Sequence, residues 1–232
     1  MKENGARPMK KPVYTLHMTP DSAATILRLA LRLTGASFTE LPIDRDGGEL
    51  DTPEYRAMQP LGKIPAMQTP DGPMFETAAM LLYLADRHPG LAPAPDSPQR
   101  AAFLKWFFFT STNLHPTLLQ VFYPDRVAGE AHATIVKTLA VQRLRDYLTL
   151  LDKMVARDAP DWLSAKPSAL SYYVAVLIRW LAGFGPGTIG YIRSEEYPAL
   201  HAILLALETT PPALEVAEIE HLGPTIFTNP SY

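Results

Sequence analysis

The stretch Gln59–His88, QPLGKIPAMQTPDGPMFETAAMLLYLADRH, decides the reading of this chain. A polar loop leads into a short apolar run, Ile64 to Met67, with Pro65 near its start. Thr69-Pro70-Asp71-Gly72 is a strong turn signal, because proline presets the first central φ and glycine accepts a positive one. Pro73, Met74 and Phe75 return as the second strand of a hairpin. Glu76-Thr77 then opens a helix, and Ala78, Leu81, Leu82 and Ala85 at i, i+3, i+4 and i+7 give it one apolar face.

Two features of this stretch carry chemistry. A proline inside a strand removes a ladder donor, which places Pro65 at an edge, a bulge or a strand start. A cis bond before it would expose the Ile64 backbone to a peptide-like ligand. Glu76-Thr77 sits at a helix start, where unpaired N–H groups and the positive end of the helix dipole attract a carboxylate. A backbone edge beside an anion site suits a small acidic peptide.

Outward from this stretch, Val13–Met18 reads as a first strand and Thr19-Pro20-Asp21-Ser22 as a loop. Ile26, Leu29, Ala30 and Leu33 mark a first helix, which Gly35 stops. Ser37–Ile43 is a second strand, closed by the turn Asp44–Gly48, and Glu49–Met58 is a short helical region. Strand, helix, strand at this spacing predicts a parallel pair, and the order β-α-β-α-β-β-α resembles the thioredoxin fold.

Pro89, Gly90, Pro93, Pro95 and Pro98 mark the one clear boundary. Helical patterns dominate after it. Gln99 to about Val127 is expected to be a long helix, bent near His115-Pro116 and Pro124. Glu130 to about Arg157 is expected to bury Ile135, Leu139, Leu144, Leu148 and Leu151. Leu170, Tyr173, Val174, Leu177, Ile178 and Leu181 give an amphipathic helix that Gly183 breaks. Helices near Tyr197–Glu208 and Pro212–Glu218 follow. The expected organisation is a disordered leader over 1–11, a thioredoxin-like α/β domain over 12–88, a linker over 89–98, an all-helical domain over 99–222 and an irregular tail over 223–232.

The 232 residues suffice for one large or two small cores. With 47% apolar and 19% charged residues, the composition is ordinary for a globular protein. A net charge of −3 gives no reason to expect nucleic acid or an anionic membrane as partner. No apolar run is long enough for a bilayer span, and the basic N-terminus lacks the apolar core of a signal peptide, so a cytoplasmic location is expected. The chain has no cysteine, which excludes a protein thiol nucleophile and thiolate metal sites. Any thiol chemistry must use the sulfur of a ligand. The six histidines form no HxxxH or HExxH pattern, and no metal site is expected.

Gly62-Lys63-Ile64-Pro65-Ala66, followed by Phe75-Glu76-Thr77 and an apolar helix, resembles the glutathione-binding half of cytosolic glutathione S-transferases. The wording there is G-[KQ]-[VI]-P-x-L, then E-[ST]-x-x-I. The resemblance, closest to bacterial serine-type and beta-like members, covers roughly Pro12 to Leu214. It implies glutathione as co-substrate and a C2 homodimer. It implies that the Ile64 backbone, fixed by Pro65, binds the cysteinyl part of glutathione. Glu76 and Thr77 would hold the γ-glutamyl end, and Lys63, with Gln59 as a weaker candidate, would reach the glycyl carboxylate. Ser22, in Pro20-Asp21-Ser22, takes the place of the serine that donates to the glutathione sulfur, with Tyr14 as runner-up. The plain alternative is that Ser22 or Asp21 only caps the helix. Asp21 falls where the beta class has cysteine, and its carboxylate would raise a neighbouring thiol pKa unless it turns away into solvent or a cap.

The run Lys105–Pro116 resembles the beta-class helix that carries W-x-x-x-x-x-x-x-L-H. It nominates Phe109, Asn113, His115 and Tyr123 as liners of a pocket for a small hydrophobic electrophile. One departure concerns folding. The resembled helical domain has [ST]-x-x-D at its buried helix; here Ser168 keeps the N-cap, while Ser171 replaces the acid, an expected loss on the order of 1 kcal/mol. The implied activity is attack of bound glutathione thiolate on the electrophile. A non-catalytic glutathione-binding or interaction module is the alternative, and peroxidase or isomerase chemistry using glutathione itself a further one.

Overall fold

Alternation of buried and half-buried residues along Tyr14–Met18 makes β1, the two-residue period of a strand with one face on a core. The computed structural model describes residues 13–232; the expected leader over 1–11 lies outside them. Ser22 caps α1 (Ala23–Thr34), and Gly35, at φ 65°, ends it in the left-handed region that glycine enters without strain. β2 (Phe38–Pro42) pairs in parallel with β1. A 3-10 turn, Glu49–Asp51, precedes α2 (Pro53–Met58). β3 (Ala66–Thr69) and β4 (Gly72–Met74) form the hairpin, β3 lies antiparallel to β1, and α3 (Thr77–Arg87) follows. The sheet order is β2-β1-β3-β4. This is a thioredoxin-like domain with a mixed sheet, and a helical region follows it.

The helical region begins with α4 (Arg100–Phe109), which runs through a π-helical turn, Thr110–Leu114, into α5 (His115–Phe122). Pro116 has no N–H and its ring would strike the carbonyl four residues back, so an extra residue in the preceding turn relieves the clash. α6 (Asp125–Ala128), α7 (Ala133–Asp158), α8 (Ala169–Ala182), α9 (Pro198–Leu207) and α10 (Pro211–Ile219) complete it. One apolar cluster runs from Tyr14, Leu16 and Leu29 through Phe103 and Leu144 to Phe227.

Four expectations need correction. On α7, Ile135 and Leu139 are 58% and 52% exposed, while the buried face is Ala140, Leu144, Leu148, Leu151, Met154 and Val155. At 100° per residue, Leu139 and Ile135 fall roughly 140° and 180° round the helix from Leu144. On α3 the buried face is Thr77, Met80, Leu81, Leu84 and Ala85, with Ala78 and Leu82 only half-buried. Every residue of α8 except Trp180 and Ala182 is buried. That helix has no solvent face, because α1, α3, α5 and α9 all pack against it. The tail is irregular, yet Ile226 and Phe227 are buried and the Tyr232 hydroxyl donates to the Arg179 carbonyl at 2.6 Å.

The fourth correction concerns the cap of α8. Ser171 N–H donates to Ser168 Oγ at 3.0 Å, and Ser168 N–H donates to Ser171 Oγ at 2.7 Å. A hydroxyl therefore serves where an acid was expected, and the capping box is complete. With both serines buried, Ser171→Ala should lower stability by about 1 kcal/mol, read as a shift of the urea midpoint at unchanged slope.

Candidate active site

The loop before β3 is built to hold one backbone segment still. Gln59 is buried, accepts from Leu61 N–H through Oε1 at 2.7 Å, and its carbonyl accepts from Gly62 N–H at 2.9 Å. Gly62 has φ 58°, a left-handed conformation that glycine enters without strain. The buried Tyr55 donates its hydroxyl to the Lys63 carbonyl at 2.6 Å, and burial pushes its phenol up to about 12. The Ile64–Pro65 bond is cis. Among the described residues, neither the N–H nor the C=O of Ile64 has a hydrogen-bond partner.

Next to this segment, the N-terminus of α3 is uncapped by any side chain. Its N-cap, Glu76, has φ 70°, a left-handed conformation that costs a non-glycine residue on the order of 1–3 kcal/mol. Thr77 is buried at the first helical position, and the first amides of α3 are left for an outside acceptor. The Glu76 side chain is exposed, as is that of Lys63.

The helical region supplies the opposite wall. His115, the first residue of α5, has Nδ1 2.8 Å from the Tyr173 hydroxyl of α8, and its ring lies 6.0 Å from that of Trp180. Burial, then the nearby Lys63 ammonium, pushes the His115 imidazole down to about 4. Burial, then the Glu76 carboxylate, raises the Tyr173 phenol. Lys63 and Glu76 of the α/β domain thus act electrostatically on the His115–Tyr173 pair of the helical region. At neutral pH His115 is uncharged and Tyr173 protonated.

Ser22 lies at the α1 end of this region. Its hydroxyl donates to the Thr19 carbonyl at 2.7 Å and accepts from Ala24 N–H at 3.2 Å, while Ser22 N–H donates to Thr25 Oγ1 at 3.2 Å. In this conformation it is the N-cap of a capping box. Asp21 turns neither into solvent nor into a cap. It sits at φ 46°, and its carboxylate takes the Arg179 guanidinium at 3.0 and 2.9 Å and Trp180 Nε1–H at 3.0 Å.

Several expected members stand elsewhere. The Tyr14 hydroxyl bonds His88 Nε2 at 2.9 Å, at the other end of β1 from Thr19, and burial raises its phenol. Phe109 sits edge-on between Trp106 and Tyr147, against α7, not on the face of His115. Asn113 donates to Thr112 Oγ1 at 3.0 Å. Tyr123, past the end of α5, is 38% exposed under the Arg126 guanidinium. Sequence reading missed Tyr55, Tyr173, Arg179, Trp180 and Glu220. Arg179 had a legible signal, a lone charge on an otherwise apolar helix, which demands a buried partner. Among the described residues no group of three His, Asp or Glu side chains gathers as metal ligands would, and no helix is long and apolar enough to cross a membrane.

The low value at His115 has a stability consequence. Between pH 6.5 and about 4 the unfolded chain binds a proton that the folded chain refuses, so stability falls as pH falls through that window. His115→Gln should flatten this part of the profile by on the order of 2 kcal/mol, allowing for partial exposure, in urea melts taken across the window.

Residues 11–86 match the family model of the glutathione S-transferase N-terminal domain. Over 93 residues the chain is 36% identical to maleylacetoacetate isomerase of Pseudomonas aeruginosa, covering 39% of this chain and 43% of that protein. The chain thus spans less than half the length of that relative. It is 27% identical over 172 residues to the disulfide-bond oxidoreductase YfcG of Escherichia coli, covering 71% and 76%. A sphingomonad glutathione S-transferase solved in complex with glutathione superposes with a TM-score of 0.71 at 26% identity, covering 90% of this chain and all of that one.

Proposed function

We propose that the chain, whose residues 11–86 match the glutathione S-transferase N-terminal domain, is a member of that family, binds glutathione in this cleft and activates its thiol for attack on a small hydrophobic electrophile. The observation that carries the proposal is the unpaired Ile64 backbone beside the uncapped start of α3. Together they match an extended peptide with an α-carboxylate at one end. In this reading Ile64, presented by Pro65, pairs with the cysteinyl unit. Thr77 and the first amides of α3 take the γ-glutamyl carboxylate, and Glu76 takes its ammonium. Lys63 reaches the glycyl carboxylate, while Gln59 acts on the shape of the loop. His115 borders the electrophile. The domain boundary falls within 89–98, and the working unit is a C2 homodimer.

Ser22 donates to the sulfur. To do so its hydroxyl must rotate off the Thr19 carbonyl. That engagement also favours the second reading, a glutathione-binding module in which Ser22 only caps α1. The two part on one experiment, an ultraviolet titration of bound glutathione across pH. The transferase reading expects thiolate absorbance one to two units below the free thiol's pKa of about 8.5, with Ser22→Ala shifting it back by about one unit and lowering kcat/KM about tenfold. Binding without thiolate would support the module. Conversion of a cis-alkene substrate with glutathione regenerated, in place of conjugation, would move the reaction class to isomerisation.

A further inference from the structure

The residue before Ser22 is gripped from the helical region at both its backbone and its side chain. Asp21 N–H donates to Glu220 Oε2 at 2.7 Å, just beyond α10. Its carboxylate takes three N–H donors from α8, two from Arg179 and one from Trp180. The grips are themselves fixed. Glu220 also accepts from Thr25 Oγ1 at 2.8 Å and from Arg28 at 2.6 Å. Arg179 is 1% exposed, spends its remaining nitrogen on the Ile226 carbonyl at 2.9 Å, and lies 4.9 Å from the Tyr232 ring. A turn that only needed a left-handed residue would be served by glycine, with no strain and no buried charge. An aspartate at φ 46° is a costlier solution, and what it adds is the connection to α8.

We infer that Asp21 and Arg179 are positioning residues: α8 holds the Thr19–Ser22 turn through this ion pair and so sets where the Ser22 hydroxyl points. This deepens the transferase reading and rests on it. Two consequences follow from the geometry. The guanidinium cancels the carboxylate charge beside the proposed sulfur position, so Asp21 does not oppose the thiolate. The same helix also carries Tyr173 and Trp180 against His115. One rigid element therefore sets the separation of the two sides of the cleft.

The test is the double variant Asp21→Gly/Arg179→Met. It removes both charges together, leaves no unpaired buried ion, and gives the turn the residue its backbone prefers. A purely structural role for the pair predicts a folded protein with parental chemistry. Positioning predicts a folded protein whose bound-thiol titration moves up by about one unit, with kcat down about tenfold and KM within threefold. A parental thiol titration and kcat would overturn the inference. Amide hydrogen exchange of residues 19–25 without glutathione gives a second measurement, independent of the chemistry. Protection there should fall at least tenfold in the double variant while α8 stays protected. If the parent forms no thiolate, the transferase reading fails, and exchange alone decides the clamp: lost protection upholds it and unchanged protection overturns it. Should the double variant not fold, Trp180→Phe, which deletes one donor and keeps an aromatic ring, takes its place with the same readouts.

Discussion

A single guanidinium inside an otherwise apolar helix constrains how the two halves of this molecule meet. Arg179 has almost no access to water, and each of its donors must therefore find an acceptor within the protein. Asp21, at the start of α1, supplies two, and the Ile226 carbonyl in the tail supplies another. Desolvating such a pair costs about as much as its attraction returns, so its main effect is on arrangement. Any other docking of the α/β domain on α8 would leave a charge buried and unpaired. Arg28 repeats the logic one turn into α1, joining Glu40 of the sheet to Glu220 beyond α10. The turn between β1 and α1 thus lies where two buried ionic links cross the seam.

What was legible in the sequence divides along the range of the forces involved. Gly35, the Thr69–Gly72 turn and the Glu76-Thr77 helix start follow from local backbone preferences, and all three appear where the chemistry of those residues predicts. The parallel β1–β2 pair followed from spacing alone. Features fixed by phase or by distant partners did not come through. Ile135 and Leu139 are apolar and close to a buried stripe, yet the helix turns them away from it. Ser171 looked like a missing acid because a motif names residue types, while the box needs only an acceptor at the right distance. The fate of Asp21 depended on a residue 158 positions further on, and no local rule reports that.

The candidate site shows the same division. The Gln59–Glu76 segment, a loop that leaves the Ile64 backbone free, was readable because its turn and helix-start residues lie close together in sequence. The opposite wall was not, because it is made by two helices and a π-helical turn. That turn shifts the helical register ahead of His115. The beta-class resemblance grouped Phe109 with His115, while the folded helix sends one ring toward α7 and the other toward α8.

In the proposed chemistry no protein sulfur takes part, so catalysis amounts to favouring the charged form of a ligand thiol. Lowering a thiol pKa by two units requires about 2.7 kcal/mol of differential stabilisation. A helix N-terminus contributes typically 0.3–1 kcal/mol, which falls short alone. A hydrogen bond to a charged acceptor contributes about 1.5–3 kcal/mol, enough with the dipole to reach the requirement. The neutral His115 adds no charge of its own, and the Lys63 that depresses it adds only a screened one. An unpaired carboxylate next to Ser22 would oppose the thiolate by an amount comparable with either favourable contribution. In the proposed reaction these magnitudes would make the Ser22 hydroxyl the deciding group, with an effect that depends on Asp21 being neutralised. The ion pair that fixes the domain seam is therefore also the condition under which a serine beside an aspartate can serve this chemistry.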